Sequence, residues 1–248
     1  MEPEQVIAAD WPAPPKVHAW VTTRAGGISR GPYAGFNLAD HVADDRVAVA
    51  SNRRRLVEAL ALPSNPAWLE QVHGTDIILL EDPSQGRQAD GSLTLEAGRV
   101  CAVMTADCLP VLLCNRAGTA VAALHAGWRG LAAGILERGV ARMPGNSDVL
   151  AWLGPAIGPD RFEVGEEVVE QLEPGSCGDR SWCTASTVPG KWFVDIYRLA
   201  RQRLLAAGVV DVSGGDFCTF TEDRRFYSYR RQGACGRMAS LIWMDPAV

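Results

Sequence analysis

Three short stretches place ionisable or metal-ligating residues at the ends of apolar runs: Gln71-Val72-His73-Gly74, Thr105-Ala106-Asp107-Cys108-Leu109-Pro110 and Leu124-His125-Ala126-Gly127. The chain has only four histidines, and two of them stand here. Polar groups in such settings must be hydrogen-bonded, paired as ions or bound to a metal. A glycine follows each histidine directly or one residue later, and glycine lets backbone or ligand approach closely. Each residue also has a plainer reading. A lone histidine at a strand end is more often a hydrogen-bonded structural group, and a lone cysteine in a strand is more often core. The intervals between His73, Cys108 and His125 are not local zinc-finger spacings. The residue types therefore permit a His-Cys-His metal site without requiring one.

Asp107 adjoins Cys108 and is a candidate acceptor behind a ligand, or a general base. Neighbours in a regular strand point to opposite faces, so both can face one site only if the strand is irregular, as nearby Pro110 suggests. Arg24 lies in a Gly-rich loop with Gly26 and Gly27, a setting that suits oxyanion binding through its fork of donors; an exposed loop arginine is the plainer reading. Arg129 begins a helix just past His125, where free N–H groups attract anions. Arg230 and Arg231 follow Tyr227 and Tyr229, and strand alternation would let only one of them border a pocket. His18, inside a strand, and His41, in an acidic loop, read as structural or solvated. Cys101 and Cys114 read as buried small hydrophobes.

These residues need a frame to hold them. The chain is 248 residues long and 47% hydrophobic, enough for a sizeable core. A net charge of -5 argues against a nucleic-acid polymer as partner. The N-terminal MEPEQVIAADW lacks the pattern of a secretory signal, no stretch is apolar enough to span a membrane, and the seven cysteines include no C-x-x-C. A cytoplasmic setting with free thiols is expected. Strands are expected at Val17 to Thr23, Trp68 to Val72, Asp76 to Leu80, Val100 to Thr105, Val111 to Cys114, Thr119 to Leu124, Val149 to Leu153, Val209 to Val212, Phe226 to Tyr229 and Met238 to Met244. Helices are expected at Asp45 to Leu60, Trp128 to Arg142 (ended by Pro144-Gly145), Glu163 to Leu172 and Phe193 to Ala207. Strands and helices mix without strict alternation, which favours an α+β fold with a mixed sheet.

The segments TTRAGGIS, NPAWLEQVHGTD, CAVMTADCLPVLLCNRAGTAVAALHAGWRGLAAGIL, AWLGPAIGPDRFEVG, DIYRLARQRL and FYSYRRQGACGRMASLIW resemble the bacterial laccase-domain family, first named polyphenol oxidase and now usually described as a purine nucleoside phosphorylase family. The likeness runs through nearly the whole chain. It implies one domain over residues 1–248 in a four-layer α/β/β/α arrangement. It also implies zinc held by the histidine of Gln-Val-His-Gly (His73), the cysteine of Thr-Ala-Asp-Cys (Cys108) and the histidine of His-Ala-Gly-Trp-Arg (His125). Small departures are Ala39, Ala43 and Gly91, where relatives often have Gly, Gly and Ala; none is a ligand position.

Three protein ligands leave one zinc position open, the arrangement of a catalytic site. The resemblance implies phosphorolysis of adenosine, inosine and methylthioadenosine, with purine nucleosides and phosphate as partners, and adenosine deaminase activity. Arg24, Arg129 and Arg230 are the candidate substrate-binding residues, the first two for phosphate. Zinc deaminases of nucleobases keep a glutamate in a His-x-Glu motif; that motif is absent, so any proton shuttle comes from elsewhere, Asp107 being the candidate. An amidase that edits peptidoglycan precursors, through zinc or through Cys108 as nucleophile, is the second enzyme reading. A copper-dependent polyphenol oxidase is disfavoured because four histidines cannot build clusters rich in imidazole, although copper can replace zinc. A non-enzymatic metal-binding module would need a fourth protein ligand, with Cys101, Cys114 or Asp107 the nearest.

Overall fold

The computed structural model describes residues 5–144, 148–174 and 178–246. The N-terminal Met1 to Glu4, Gly145 and Cys177 lie outside the described residues. The first half runs β1 (Val6–Ala8), β2 (Val17–Thr22), α1 (Arg46–Ala59), β3 (Ile77–Leu79), β4 (Gly91–Thr94), β5 (Cys101–Thr105), β6 (Leu109–Asn115) and β7 (Val121–Ala126). Then come α2 (Trp128–Ala132), α3 (Ile135–Arg142), β8 (Val149–Leu153), β9 (Glu163–Gly165) and α4 (Glu166–Leu172). The chain ends with β10 (Cys183–Ala185), β11 (Lys191–Val194), α5 (Ile196–Ala206), β12 (Asp211–Gly214), α6 (Tyr229–Gln232) and β13 (Met238–Met244).

Among the described residues the strands form a six-stranded mixed sheet of order β12-β8-β6-β7-β4-β3, a four-stranded antiparallel sheet β1-β2-β13-β5, and a small sheet β10-β11-β9. Strand alternation sorts the side chains into three cores. In β13, Met238, Ile242 and Met244 meet Leu112, Cys114, Val121 and Ala123 of β6 and β7 between the two large sheets. The opposite face of β13, Ala239, Leu241 and Trp243, packs with Leu56 of α1, Phe36 and Leu38. The outer face of the six-stranded sheet, including Leu113 and Leu124, is covered by Leu131, Leu136, Val169 and Leu199 of the helices α2 to α5. Helix, sheet, sheet and helix therefore stack in four layers, each apolar face covered by the next. The fold is α+β, as expected. No helix among the described residues is long and apolar enough to cross a membrane.

Several expected elements differ. Trp68 to Val72 does not form a strand; it makes an isolated bridge at Glu70, and the adjoining Ala67 makes another. The Gln71 side chain takes the place of ladder bonds there, donating to the Met104 carbonyl and accepting from the Met104 N–H, both at 2.8 Å. The expected helix from Trp128 splits into α2 and α3 because Gly134 adopts φ 88°, a conformation open to glycine. The helices expected from Glu163 and Phe193 start later, after β9 and β11, at N-caps Gly165 and Asp195. Phe226 to Tyr229 is not a strand: Ser228 caps α6 by accepting from Arg231 N–H.

Candidate active site

The β5–β6 connection carries the chain from one large sheet to the other in three residues, Ala106, Asp107 and Cys108. Asp107 makes that crossing with φ 91°, which costs on the order of 1–3 kcal/mol for a non-glycine residue. The break in alternation resolves the conflict posed by the sequence, since Asp107 and Cys108 both line one cavity. His125, near the end of β7, is 3% exposed. His73 follows the Gln71 bridge, also with positive φ, 62°.

The side chains of His73, Cys108 and His125 converge. Their ligand atoms all lie within 4.8 Å of one another, with Cys108 Sγ 3.9 Å from His73 Nε2. Two zinc ligands at tetrahedral angles stand about 3.6 Å apart by ordinary bond lengths, so a modest contraction would close the set around an ion. The donor types, two imidazoles and a thiolate, suit zinc or copper. Among the described residues no fourth His, Cys, Asp or Glu joins the group. A Cβ built on Gly127 would stand 3.0 Å from Cys108 Sγ, 3.1 Å from His73 Cδ2 and 3.6 Å from His125 Nε2. Gly127 thus keeps the approach open, whereas Ala126 faces the helical core.

Asp90 holds two of the three together. It is completely buried, just ahead of β4. One oxygen pairs with His125 Nδ1 at 2.7 Å and accepts the His73 N–H at 2.9 Å. The other accepts the N–H groups of Gly74 at 2.6 Å and Val72 at 3.2 Å. A proton on His125 Nδ1 leaves Nε2 free toward the cluster, as ligation requires. Burial raises the Asp90 carboxyl pKa, but the His125 and Gly74 hydrogen bonds and the His125 charge outweigh it and hold it below the usual range. Burial also raises the Cys108 thiol; His125 and His73 overcome this and bring it down to about 6. His125 is moved the other way, to about 9, because the Cys108 and Asp90 charges outweigh its desolvation. Sequence reasoning passed over Asp90. Its signal was an acid directly before a buried strand of small residues.

The cavity above the cluster measures about 440 Å³. Met104, Ile157, Phe162 and Ile196 give it apolar walls, and Trp128 and Tyr229 add aromatic surface. Asp107 is the only carboxylate among its described lining residues; its oxygens accept from Thr219 Oγ1 at 2.6 Å and Arg230 N–H at 2.7 Å. Arg230 lines the cavity, with Nη1 on the Glu163 carbonyl at 2.8 Å. Arg231 instead donates to the carbonyls of Thr219, Phe220 and Phe226. Arg24 and Arg129 are not among the lining residues. Arg24 lies over the Tyr227 ring and donates to the Asp223 carbonyl, while Arg129 is exposed and lies over Trp128. His18 takes the structural place expected of it, paired with Asp245 and stacked on Trp243. His41 is exposed, in keeping with the solvated reading, but it also lines the cavity, as does Arg237, which the sequence did not single out. Cys101 and Cys114 are fully buried between the large sheets.

The family described as multi-copper polyphenol oxidoreductase laccase matches residues 18–245. A Pseudomonas aeruginosa protein named a purine nucleoside phosphorylase is 53% identical over 96% of this chain and 98% of its own length. YfiH of Escherichia coli, also named a purine nucleoside phosphorylase, is 52% identical over 97% of this chain and 99% of its own. Among solved structures, a Neisseria meningitidis protein of the DUF152 family superposes with a TM-score of 0.90 at 46% identity, covering 97% of this chain and 99% of that one. YlmD of Geobacillus stearothermophilus gives 0.86 at 36% identity, covering 93% of each chain. With the match spanning both large sheets and the His-Cys-His cluster between their ends, the chain belongs to this laccase-like family, the relatives of which include proteins named purine nucleoside phosphorylase.

Proposed function

We propose that the chain is a zinc-dependent purine nucleoside phosphorylase working in the cavity around His73, Cys108 and His125. The observation that carries this reading is the convergence of those three side chains with Asp107 in one aromatic-walled cavity; the names of the relatives supply the reaction. The substrates are adenosine, inosine and methylthioadenosine. Met104, Ile157, Phe162 and Ile196 offer apolar contact to a purine face or a methylthio group without burying an unpaired polar group.

In phosphorolysis an oxygen of hydrogen phosphate forms a bond to ribose C1′, and the bond from C1′ to the purine nitrogen breaks. The phosphate proton ends on the departing base. Asp107 relays that proton, because it is the only carboxylate among the described lining residues and its orientation is fixed by Thr219 and the Arg230 N–H. Arg230 borders the same part of the cavity and supplies positive charge to the substrate. Zinc bound by His73, Cys108 and His125 would supply a Lewis acid for a substrate oxygen; copper can occupy the same donors. Adenosine deamination uses the same residues, water adding at C6 and ammonia leaving, with Asp107 in the role that glutamate has in other zinc deaminases. The setting is cytoplasmic, consistent with unpaired cysteines among the described residues.

A second reading, amide hydrolysis with Cys108 as nucleophile and His125 as base, draws on the low thiol pKa of about 6. Metal content separates the two, since a thiolate bound to zinc is not a free nucleophile. Purified protein is assayed with adenosine in the presence and absence of phosphate while adenine, inosine and ribose 1-phosphate are followed. Phosphate-dependent adenine supports the phosphorylase; bound zinc with no base and no inosine removes it.

A further inference from the structure

The two arginines expected from sequence to hold phosphate, Arg24 and Arg129, are not among the cavity's lining residues. The cavity supplies a different pair. The loop carrying His41 and the start of β13 carrying Arg237 are tied together by Asn37, which is fully buried. Asn37 Oδ1 accepts the Arg237 N–H at 2.9 Å and the Ala39 N–H at 3.1 Å. Its Nδ2 donates to Asp44 at 2.8 Å and to the Ala39 carbonyl at 3.2 Å. Leu38 and Ala39, both fully buried, anchor the loop in the outer core beneath α1. The segments touch closely: a Cβ on Gly236 would stand 2.9 Å from the Asn37 Cβ.

That brace brings two nitrogen-donor groups to one wall. Arg237 Nη1 donates to the Cys235 carbonyl at 2.8 Å and the Gly236 carbonyl at 3.1 Å, which fixes the guanidinium plane. Its Nε and Nη2 have no protein acceptor among the described residues, and no carboxylate pairs with it there. The nearby Asp40 is engaged by Arg53. His41 and Arg237 both line this cavity, and burial first and the Arg237 charge second lower the His41 pKa. An oriented guanidinium with free donors beside an imidazole is a receptor for a tetrahedral oxyanion.

We propose that His41 and Arg237 form the binding site for inorganic phosphate, the nucleophile of the reaction, on the wall of the cavity near the metal ligands. This rests on the phosphorylase reading for its role in turnover, but not for binding itself. An anion there lies in the same cavity as Asp107, the residue through which its proton passes to the base. Arg24 and Arg129 have no part in it.

The test compares the wild type with Arg237→Gln and His41→Gln. Phosphorolysis is measured with phosphate and nucleoside varied separately, and binding of inorganic phosphate alone is followed by phosphorus NMR. Loss of one charge-assisted contact is expected to raise the KM for phosphate about tenfold or more, with the KM for nucleoside within about twofold, and to abolish phosphate line broadening in Arg237→Gln. Phosphorolysis with an unchanged KM for phosphate in both variants overturns the proposal. If the wild type yields no phosphate-dependent base, the phosphorylase reading fails, and the binding measurement still decides the site: broadening that Arg237→Gln removes supports it, and no broadening, or broadening that persists, overturns it. His41→Gln alters an exposed loop side chain and keeps the test available should Arg237→Gln fold poorly.

Discussion

Asp90→Asn changes one atom type in a buried position and should detach the metal without dismantling the fold. The native carboxylate is engaged by four groups: the N–H groups of Val72, His73 and Gly74, and His125 Nδ1. An amide has only one acceptor oxygen. If that oxygen stays on the backbone N–H groups, the amide NH2 faces His125 Nδ1. It then favours the imidazole with its proton on Nε2, the nitrogen a metal needs free. If the oxygen stays on Nδ1 and the His73 N–H, the NH2 faces the N–H donors of Val72 and Gly74, and the loop on either side of His73, itself at φ 62°, loses its anchorage. Either way one ligand is misplaced. Loss of a group that orients a metal ligand typically costs 10–100-fold in affinity, about 1.4–2.7 kcal/mol. Asp90→Ala should be worse for stability, because it leaves His125 Nδ1 unpaired in a buried setting at a cost of about 1–3 kcal/mol. The assay is zinc affinity by chelator competition, alongside thermal unfolding of the metal-free proteins. A zinc affinity for Asp90→Asn within twofold of the wild type would refute the reasoning that this carboxylate sets the two histidines.

Gly127→Ala is sterically specific: the backbone there, φ -66° and ψ 163°, is open to any residue, yet the new methyl presses on Cys108 and His73. Metal affinity should fall about tenfold while the metal-free protein unfolds at an unchanged temperature, as calorimetry will show. Asp107→Asn keeps an acceptor for the Arg230 N–H and a donor for the Thr219 hydroxyl, so the fold should hold while kcat for phosphorolysis drops by about two orders of magnitude or more; a drop below threefold in stopped-time assays contradicts the proton relay. In metal-free protein Cys108, brought down to about 6, is a thiolate at neutral pH, whereas Cys101 and Cys114 are pushed up to about 12. Iodoacetamide at pH 7 should label Cys108 ahead of both, the rate should fall as pH drops through about 6 and the thiol takes up its proton, and added zinc should protect; peptide mapping by mass spectrometry reads this.

The α+β class and most of the elements were legible because alternation and helical period report burial, whereas the four layers came only with the family resemblance. The β13 pattern separates Met238, Ile242 and Met244 from Ala239, Leu241 and Trp243, and each set lies in a different core. What the pattern could not carry was backbone replaced by side chain, as where Gln71 bonds Met104 in place of a strand, and local interruptions such as Gly134. The ligand trio was visible as residue types, but its assembly depends on the β5–β6 crossing between sheets and on the positive φ of Asp107 and His73, which no spacing rule encodes. Asp90, His41 and Arg237 reach the site from three separate segments. Their sequence surroundings are an ordinary acid before a strand, a polar loop and a cationic residue entering a strand. Arg24 and Arg129 had the more suggestive surroundings, and the structure gives them to Tyr227 and Trp128.

The central claim is that one metal-dependent site makes and breaks the glycosidic bond. The most direct measurement is adenosine turnover by metal-analysed protein with and without phosphate, with His125→Ala and Cys108→Ala beside the wild type. The account predicts bound zinc, adenine and ribose 1-phosphate formed only with phosphate, and loss of zinc and of both products together in each variant. Adenine formation that survives when zinc is lost, or zinc bound without any phosphate-dependent adenine, would contradict it.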